Sequence, residues 1–229
     1  MRVSGFGRYA LTSCVAVAML AGCGGSQPPI GATNAMSHVR MASSGSGCVS
    51  GSDCCPTYYG GSGILADGDF SQAVNPGGNF IDYSKGSVLA PDWEVVKGEI
   101  DFNGTGFWDM DGLCSVDMDG YFPGGMRTSA FRTKRGTTYT VTFLLSGNGC
   151  EGSSEHCRPQ KRMKLEAGNQ FALFTWNTSN YNDVEHGVFA HESWKFIAAE
   201  SLTVLSFISL DAKISGRGCV VAAVGVTKH

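Results

Sequence analysis

Residues 138–145 read TYTVTFLL, and this short stretch decides the fold class. Its odd-numbered positions carry Tyr139, Val141, Phe143 and Leu145, while threonine fills positions 138, 140 and 142. Side chains of a β-strand point alternately to opposite faces, so a period of two places these apolar residues on one face. The stretch therefore predicts a strand with one face in a core.

Strand signals of the same kind follow along the chain, in QFALFTW (170–176), SWKFIAA (193–199), LTVLSFISL (202–210) and CVVAAVGV (219–226). Glycine, asparagine, aspartate and serine, which favour turns, lie between them. Helical periodicity is scarce after residue 63, and strands without intervening helices favour a two-sheet sandwich or jelly roll. We predict an all-β jelly-roll β-sandwich, with Trp93 and Trp194 packed in its core rather than stacked on sugar.

The N-terminal part of the chain has the pattern of an export signal. Arg2 and Arg8 precede an apolar stretch that is too short to span a bilayer. Residues 20–23, LAGC, resemble the bacterial lipobox, which implies cleavage before Cys23 and attachment of this cysteine to the lipid bilayer. An ordinary signal peptide or a buried apolar segment is the alternative. Gly24 and Ser26 follow the cysteine and are not acidic, so the acidic retention signal known from some bacteria is missing. This favours the outer surface of the envelope.

Three regions follow from this pattern. Residues 1–22 form a lipoprotein signal peptide that is helical before its removal. Residues 23–62 begin at the acylated cysteine and continue as a disordered tether rich in glycine, serine, alanine and proline. Residues 63–229 form the jelly-roll domain, which is long enough to bury a core.

The charge distribution excludes one class of partner. The formal net charge is −3, and the densest basic segment is RPQKRMK at 158–164, which is typical of a solvated loop. A protein that binds nucleic acid presents a broad basic face. We therefore expect no nucleic-acid partner.

Seven of the nine cysteines remain once Cys14 leaves with the signal and Cys23 carries lipid. Cys150 and Cys157 flank the polar segment EGSSEH and are predicted to form a disulfide worth about 2 kcal/mol. The pairing of the other five stays open: Cys48, Cys54, Cys55, Cys114 and Cys219. Because seven is odd, at least one thiol is free or intermolecular, and the paired short spacings of zinc sites are missing.

An ordered series of segments resembles a known family. GILADGDFSQ (63–72) is similar to the opening of galactose-binding-like sandwiches, and it is followed by PDWEVVKGEIDF, DGLCSVDMDG, FRTKRGTTYTVTFLLSGNG and SWKFIAAESLTVLSFISL. In this order they resemble the domain of unknown function 642 family, which includes plant cell-wall proteins and bacterial choice-of-anchor C proteins. The resemblance covers residues 63 to 226. It implies a galactose-binding-like jelly roll, an extracellular location and association with polysaccharide.

Related carbohydrate-binding domains often hold a structural calcium, and this chain departs from their pattern. Their ligands include an acid after GDF and an aspartate in the last strand, whereas this chain has Ser71 and Ala222 there. Asp67 or Asp69 could still bind a cation, but we expect no cofactor and no metal. Cys219 stands where the family usually has proline, and we hypothesise that a disulfide from Cys54 or Cys55 to Cys219 joins the two ends of the domain in place of the ion.

Two polar segments are candidates for chemistry. DMDGLCSVDMDG (109–120) lacks the pattern of a calcium loop, and we interpret it as a strand and turn with Asp117 and Asp119 on one face and Val116 and Met118 inward. A glycosidase would need two carboxylates on opposite sides of a sugar.

The second polar segment is NDVEHGVFAHESW (182–194). His186 and His191 lie five residues apart in it, unlike the histidines of a helical zinc motif, and a solvated loop is the alternative to a site. Loops at one end of a sandwich carry ligand contacts, so the candidates are Trp108, Trp176, Tyr181, His186 and His191, with Phe107 beside them.

The sequence therefore predicts a lipid-anchored protein of the cell envelope whose domain binds carbohydrate or cell-wall polysaccharide without catalysis. A structural or adhesive protein with a protein partner is the main alternative. A glycoside hydrolase is the least favoured, because no catalytic residue and no GxSxG or other nucleophile signature can be assigned.

Overall fold

The computed structural model describes residue 48 and residues 53–58, 63–108, 110–150, 157–180, 188–212 and 216–229. The predicted signal peptide, Cys23 and most of the predicted tether lie outside these ranges. In the part of the chain that the structure describes, no helix is long and apolar enough to cross a membrane.

Almost all regular structure in these ranges is β. The only helical element described is a 3₁₀ turn at Thr178–Asn180. The strands are β1 (Phe80–Ser84), β2 (Val88–Ala90), β3 (Trp93–Lys97), β4 (Glu99–Asn103), β5 (Ser115–Asp117), β6 (Gly125–Thr128), β7 (Phe131–Arg132), β8 (Thr138–Gly147), β9 (Gln160–Ala167), β10 (Gln170–Asn177), β11 (Ala190–Ile197), β12 (Leu202–Thr203), β13 (Leu205–Ser209) and β14 (Cys219–Lys228).

Two six-stranded sheets pack face to face. The first sheet has the order β1-β4-β5-β14-β8-β11, and the second has the order β10-β9-β13-β6-β3-β2. Neighbouring strands are antiparallel, and β12 and β7 form a separate short pair. The prediction of an all-β sandwich is confirmed.

The core lies between the sheets. Phe143 of the first sheet meets Phe207 of the second with ring centroids 5.6 Å apart, and Phe207 also contacts Trp93. As predicted, Trp93 is buried, and Trp194 is half-buried against the core. Alternation along β8 holds for Tyr139, Val141, Phe143 and Leu145, which are all buried.

The other face of the first sheet is also covered over part of its area. Leu144 of β8 packs there with Trp108, Val220 and Ala222 in a second apolar cluster. The segment between β4 and β5 supplies Trp108 and covers these strands. This explains why β14 is apolar at nearly every position, since a strand buried on both faces does not alternate.

The basic segment 158–164 is not a loop, which corrects the sequence-based interpretation. Residues from Gln160 onward form β9, in the second sheet between β10 and β13. Lys161, Met163 and Leu165 are buried, whereas Gln160 and Arg162 point to solvent. A lysine at an inward position hid the alternation, because lysine is almost never fully buried.

Three disulfides link six of the described cysteines. Cys150 pairs with Cys157, as predicted, and the other pairs are Cys48–Cys54 and Cys55–Cys114. Cys219 is a buried free thiol, so the hypothesised link from Cys54 or Cys55 to Cys219 is wrong. Cys219 begins β14 and packs in the core, while Cys55 reaches Cys114 beside β5. Disulfides of this number fit an exported protein.

Candidate functional site

Two tryptophans among the predicted ligand contacts are buried, which corrects that part of the prediction. Trp176 is 8 % exposed, because its position in β10 points toward the other sheet, opposite Lys161 in register. Trp108 is 6 % exposed, because the turn at Gly104 folds it onto β14 in the second apolar cluster. Neither offers a ring face to a sugar.

The other three predicted ligand contacts are His191, Tyr181 and His186, and the structure describes only the first of them. His191 is exposed on the edge strand β11, where its ring meets Phe189 at 5.8 Å. Tyr181 and His186 lie outside the described residues. Of the three candidates that the structure describes, Trp108 and Trp176 are buried in two different apolar clusters, and only His191 is exposed.

The positions that correspond to the calcium site of related domains do not fit the ion. Ser71 Oγ donates a hydrogen bond to Asp67 Oδ1 at 3.2 Å, and Ala222 has no side-chain oxygen. Asp67 Oδ2 is a single bare oxygen, whereas calcium takes six to eight. Burial raises the pKa of Asp67 to about 6. In the described ranges no three histidine, cysteine, aspartate or glutamate residues are placed to share a metal.

A different feature stands out on the surface, a pair of adjacent exposed aromatic residues in the loop between β5 and β6. Tyr121 is 63 % exposed and Phe122 is 50 % exposed, and their rings meet edge to face with centroids 4.9 Å apart. We call this pair the aromatic corner. It presents ring surface to solvent at one end of the sandwich.

Hydrogen bonds to β4 and within the loop itself hold the loop of the aromatic corner in place. Tyr121 N donates to Glu99 Oε2 at 3.2 Å, Gly120 N donates to Glu99 O at 2.9 Å, and Gly124 N donates to Met118 O at 2.8 Å. A Cβ at Gly124 would lie 2.2 Å from Glu99 O. Glycine is therefore needed where the loop backbone packs directly on β4.

A line of three carboxylates crosses the first sheet next to this corner. Asp82 of β1 is opposite Asp101 of β4, which is opposite Asp117 of β5. We call these three residues the acidic row. Directly opposite like charges destabilise a sheet, so the row must keep some of its members protonated.

The pKa values of Asp101 and Asp117 follow this expectation. Burial and the charge of Asp117 raise the pKa of Asp101 well above its usual range, and a side-chain hydrogen bond with Asp82 raises it further. Burial, with the charge of Asp119, also raises the pKa of Asp117. Asp101 Oδ1 is buried without a hydrogen-bond partner among the described residues, 2.9 Å from where a Cβ at Gly120 would lie.

Asp117 is the acid that a glycosidase interpretation would use, and its surroundings disfavour this. Asp117 Oδ1 accepts from the backbone N–H groups of Asp119 and Gly218, and Oδ2 accepts from Asn148 Nδ2 at 2.8 Å. The residue is buried, as is Asp119, while Val116 and Met118 face the core as predicted. A carboxylate enclosed and hydrogen-bonded in this way cannot reach a sugar, so its role is to join three chain segments.

The sequence-based prediction gave GYFPGG (120–125) no binding role and missed the aromatic corner. A usable signal was present, because Tyr121 and Phe122 stand together between glycines and a proline, outside any alternating segment. No alternating segment assigns these two aromatic residues to a core face.

The family comparison matches most of the chain. The family described as protein of unknown function (DUF642) matches residues 63–222. Among proteins with curated functions, none matches the chain in sequence.

Solved structures show only distant likeness. A structure described as "CBM4 structure and function" is 10 % identical, covers 72 % of this chain and 99 % of its own, and has a TM-score of 0.41. The Clostridium thermocellum xylanase 10B CBM22-1–GH10 modules with xylohexaose are 15 % identical over 52 % of this chain and 22 % of that chain, with a TM-score of 0.31. The Arthrobacter globiformis T6 isomalto-dextranase with panose is 11 % identical over 67 % and 24 %, with a TM-score of 0.36.

Structural similarity as weak as that to these three solved structures does not assign a function to this chain. The family match is of another kind, because it extends over more than half of the chain and over nearly all strands of both sheets. The chain belongs to the DUF642 family of proteins of unknown function.

Proposed function

We propose that this domain binds polysaccharide of the cell wall or envelope without catalysis, and that the aromatic corner is its contact surface. In the same proposal, the signal peptide is removed and acylated Cys23 holds the protein at the outer surface. The observation that carries the binding function is the exposure of two adjacent aromatic rings in a loop that is fixed by hydrogen bonds to β4.

The energetics of the aromatic corner favour a binding role. Leaving two large aromatic side chains in water forgoes about 1.5–3 kcal/mol of burial each. Sugar rings have apolar faces that stack on exposed aromatic rings, and a loop that is already ordered adds little entropy cost on binding. Gly120 and Gly124 provide this order by packing the loop against β4.

Polar groups for sugar hydroxyls lie next to the rings. Glu99 Oε1 accepts from Ser84 Oγ at 3.1 Å, and Oε2 accepts from Tyr121 N. Each carboxylate oxygen has a second lone pair, so Glu99 can still accept hydroxyl groups of a ligand. An apolar platform with a few placed polar groups is the usual composition of a ligand site.

A protein partner is the second candidate function, and one observation favours it. The edge strand β10 exposes Phe171 and Leu173 on its outer face. Exposed apolar residues on an open edge strand favour pairing with another chain. This surface is separate from the aromatic corner in the fold, so the two functions can be tested by separate variants.

The test is retention on insoluble pectin, cellulose, chitin and peptidoglycan, using the full chain with Cys14→Ser and Cys23→Ala, which we call the unacylated chain. We expect retention on one polymer, and at least tenfold weaker binding of its oligosaccharide by Tyr121→Ala and by Phe122→Ala. Phe171→Ala is the matched control, since Phe171 is equally exposed at 59 %. Retention on none of the polymers by the folded protein would contradict the proposal.

A further inference from the structure

One cavity in the described part of the structure is lined mainly by basic residues. It has a volume of about 420 Å³ and is formed by the start of β9 and the chain after β13. Its charged lining residues are Arg158, Lys161, Arg162 and Asp211. We call it the basic cavity. Its volume is within the range of small-ligand sites, about 300–1,000 Å³.

The arginines provide free donors at the mouth of this cavity. Arg158 is exposed, and no hydrogen bond or ion pair engages its guanidinium within the described part of the chain. Arg162 Nη2 donates to Leu210 O at 3.1 Å, which leaves its other N–H groups available. A guanidinium binds carboxylates through two parallel hydrogen bonds. The mouth of the cavity is therefore suited to an anionic group.

Lys161 adds positive charge behind the arginines and does not itself reach a ligand. It is fully buried, and its Nζ donates to Arg217 O at 2.6 Å and to Cys157 Sγ at 3.2 Å. In this position it fixes the wall of the cavity.

The arginines call for an anionic group on the ligand, and Asp211 calls for a hydrogen-bond donor. Its Oδ1 accepts from Arg162 N at 2.9 Å, while Oδ2 is buried and has no hydrogen-bond partner among the described residues. A buried acceptor without a donor costs about 1–3 kcal/mol. A ligand with a hydroxyl group would satisfy this oxygen, whereas sulfate, which carries no donor, would not.

The two requirements together select a class of ligand. A neutral sugar would leave Arg158 unused, and a simple anion would leave Asp211 Oδ2 unsatisfied. A sugar that carries a carboxylate beside free hydroxyls meets both.

A backbone hydrogen bond links the end of β13, next to the basic cavity, to the loop of the aromatic corner. Ser209 N donates to Gly124 O at 2.9 Å. Asp211 comes two residues after Ser209, and Phe122 comes two residues before Gly124. One polysaccharide chain can therefore contact both places.

We propose that the basic cavity binds an anionic sugar unit, with its carboxylate on Arg158 and a hydroxyl group on Asp211, so that the ligand of this protein is an acidic polysaccharide. This inference rests on the proposed carbohydrate-binding function and specifies its substrate class.

The test is calorimetric titration of the unacylated chain with trimers of galacturonate and of glucuronate, with the matching neutral trimers, and with inorganic sulfate. We expect one uronate trimer to bind about tenfold or more tightly than its neutral counterpart, with sulfate far weaker. Arg158→Gln should abolish this preference. Asp211→Asn, which keeps an oxygen for Arg162 N, should weaken uronate binding.

Arg135→Gln is the matched control, because it removes the same charge from an exposed position that does not line the cavity. Equal binding of uronate and neutral trimers, or equal losses in Arg158→Gln and Arg135→Gln, would overturn the inference and leave the proposed function standing. Sulfate binding as tight as uronate binding would also overturn it. Failure of every trimer to bind, with the polymers also not retained, would instead remove the proposed function on which the inference rests.

Discussion

At the scale of single residues, buried aspartates inside and outside the acidic row make the stability of the domain depend on pH. Unfolded aspartate titrates near a pKa of about 3.9, whereas burial raises the pKa of Asp67 and of Asp211 to about 6 in the folded protein. Asp101 and Asp117 are raised for the same reason, with neighbouring carboxylates adding to it. Above pH 4 the folded state therefore holds more protons than the unfolded state, and the free energy of unfolding decreases as pH rises.

We expect the free energy of unfolding by urea to be higher at pH 5 than at pH 8 by at least about 1 kcal/mol, with a shallower decrease in Asp101→Asn. Asparagine resembles the protonated acid and can still donate a hydrogen bond to Asp82. Asp101→Asn should therefore be more stable than wild type at pH 8 and nearly equal to it at pH 5. Glu200→Gln, at an exposed position, is the control. A profile that is flat from pH 5 to pH 8 would contradict the expectation.

Cys219 provides a second prediction at the residue scale. Its thiol is buried, and burial raises its pKa well above the ordinary value. Because the reactive species is the thiolate, we expect no reaction with a thiol reagent in the folded unacylated chain and one thiol per chain after unfolding. Cys219→Ser should reduce this count to zero. A reactive thiol in the folded protein, or none after unfolding, would show that the disulfides pair differently.

At the scale of elements, some strands could be predicted and others could not, for physical reasons. β8 was predictable because Tyr139, Val141 and Phe143 face a core while threonines occupy much of the other face. β9 was missed because Lys161 is at an inward position, where its buried ammonium group bonds to Arg217 O. Alternation identifies a strand only when inward residues are apolar.

The candidate site was less predictable than the strands. Trp176 lies at the end of a predicted strand, and only its register with Lys161 decides which way it faces. Trp108 is covered by long-range packing against β14, which no local pattern indicates. The Cys55–Cys114 disulfide likewise joins residues 59 apart in sequence. Contacts of this range come from topology, which a single sequence does not show.

The loop that carries the aromatic corner gives a prediction at this scale. Gly124→Ala would place a methyl group 2.2 Å from Glu99 O and 2.7 Å from Ile100 Cγ2, so the loop must move away from β4. We expect a loss of about 1–3 kcal/mol in the free energy of unfolding and weaker oligosaccharide binding, because the rings of Tyr121 and Phe122 shift with the loop. Gly78→Ala should change neither, since a Cβ there meets nothing within 4 Å. Unchanged binding in a destabilised Gly124→Ala would separate the loop from the ligand.

At the scale of the whole molecule, the disulfides fit a domain that works outside the cytoplasm. Polysaccharide binding by a domain at the cell surface retains the polymer only if the protein is itself held to the cell. One acyl chain binds a bilayer only marginally, whereas several chains bind it stably. The proposed modification of Cys23 would therefore be as important for function as the aromatic corner.

This gives the prediction that tests the anchor. In a bacterial host fed an alkyne-labelled fatty acid, we expect the wild-type protein to carry the label and Cys23→Ala to lose it. Cys14→Ser is the control, since Cys14 also lies in the N-terminal segment but would leave with the signal peptide, and it should be labelled as strongly as wild type. Mass spectrometry should find an acylated Cys23 as the first residue of the mature chain. Label that persists in Cys23→Ala would exclude this cysteine as the anchor, and the retention of polymer by whole cells would then need another attachment.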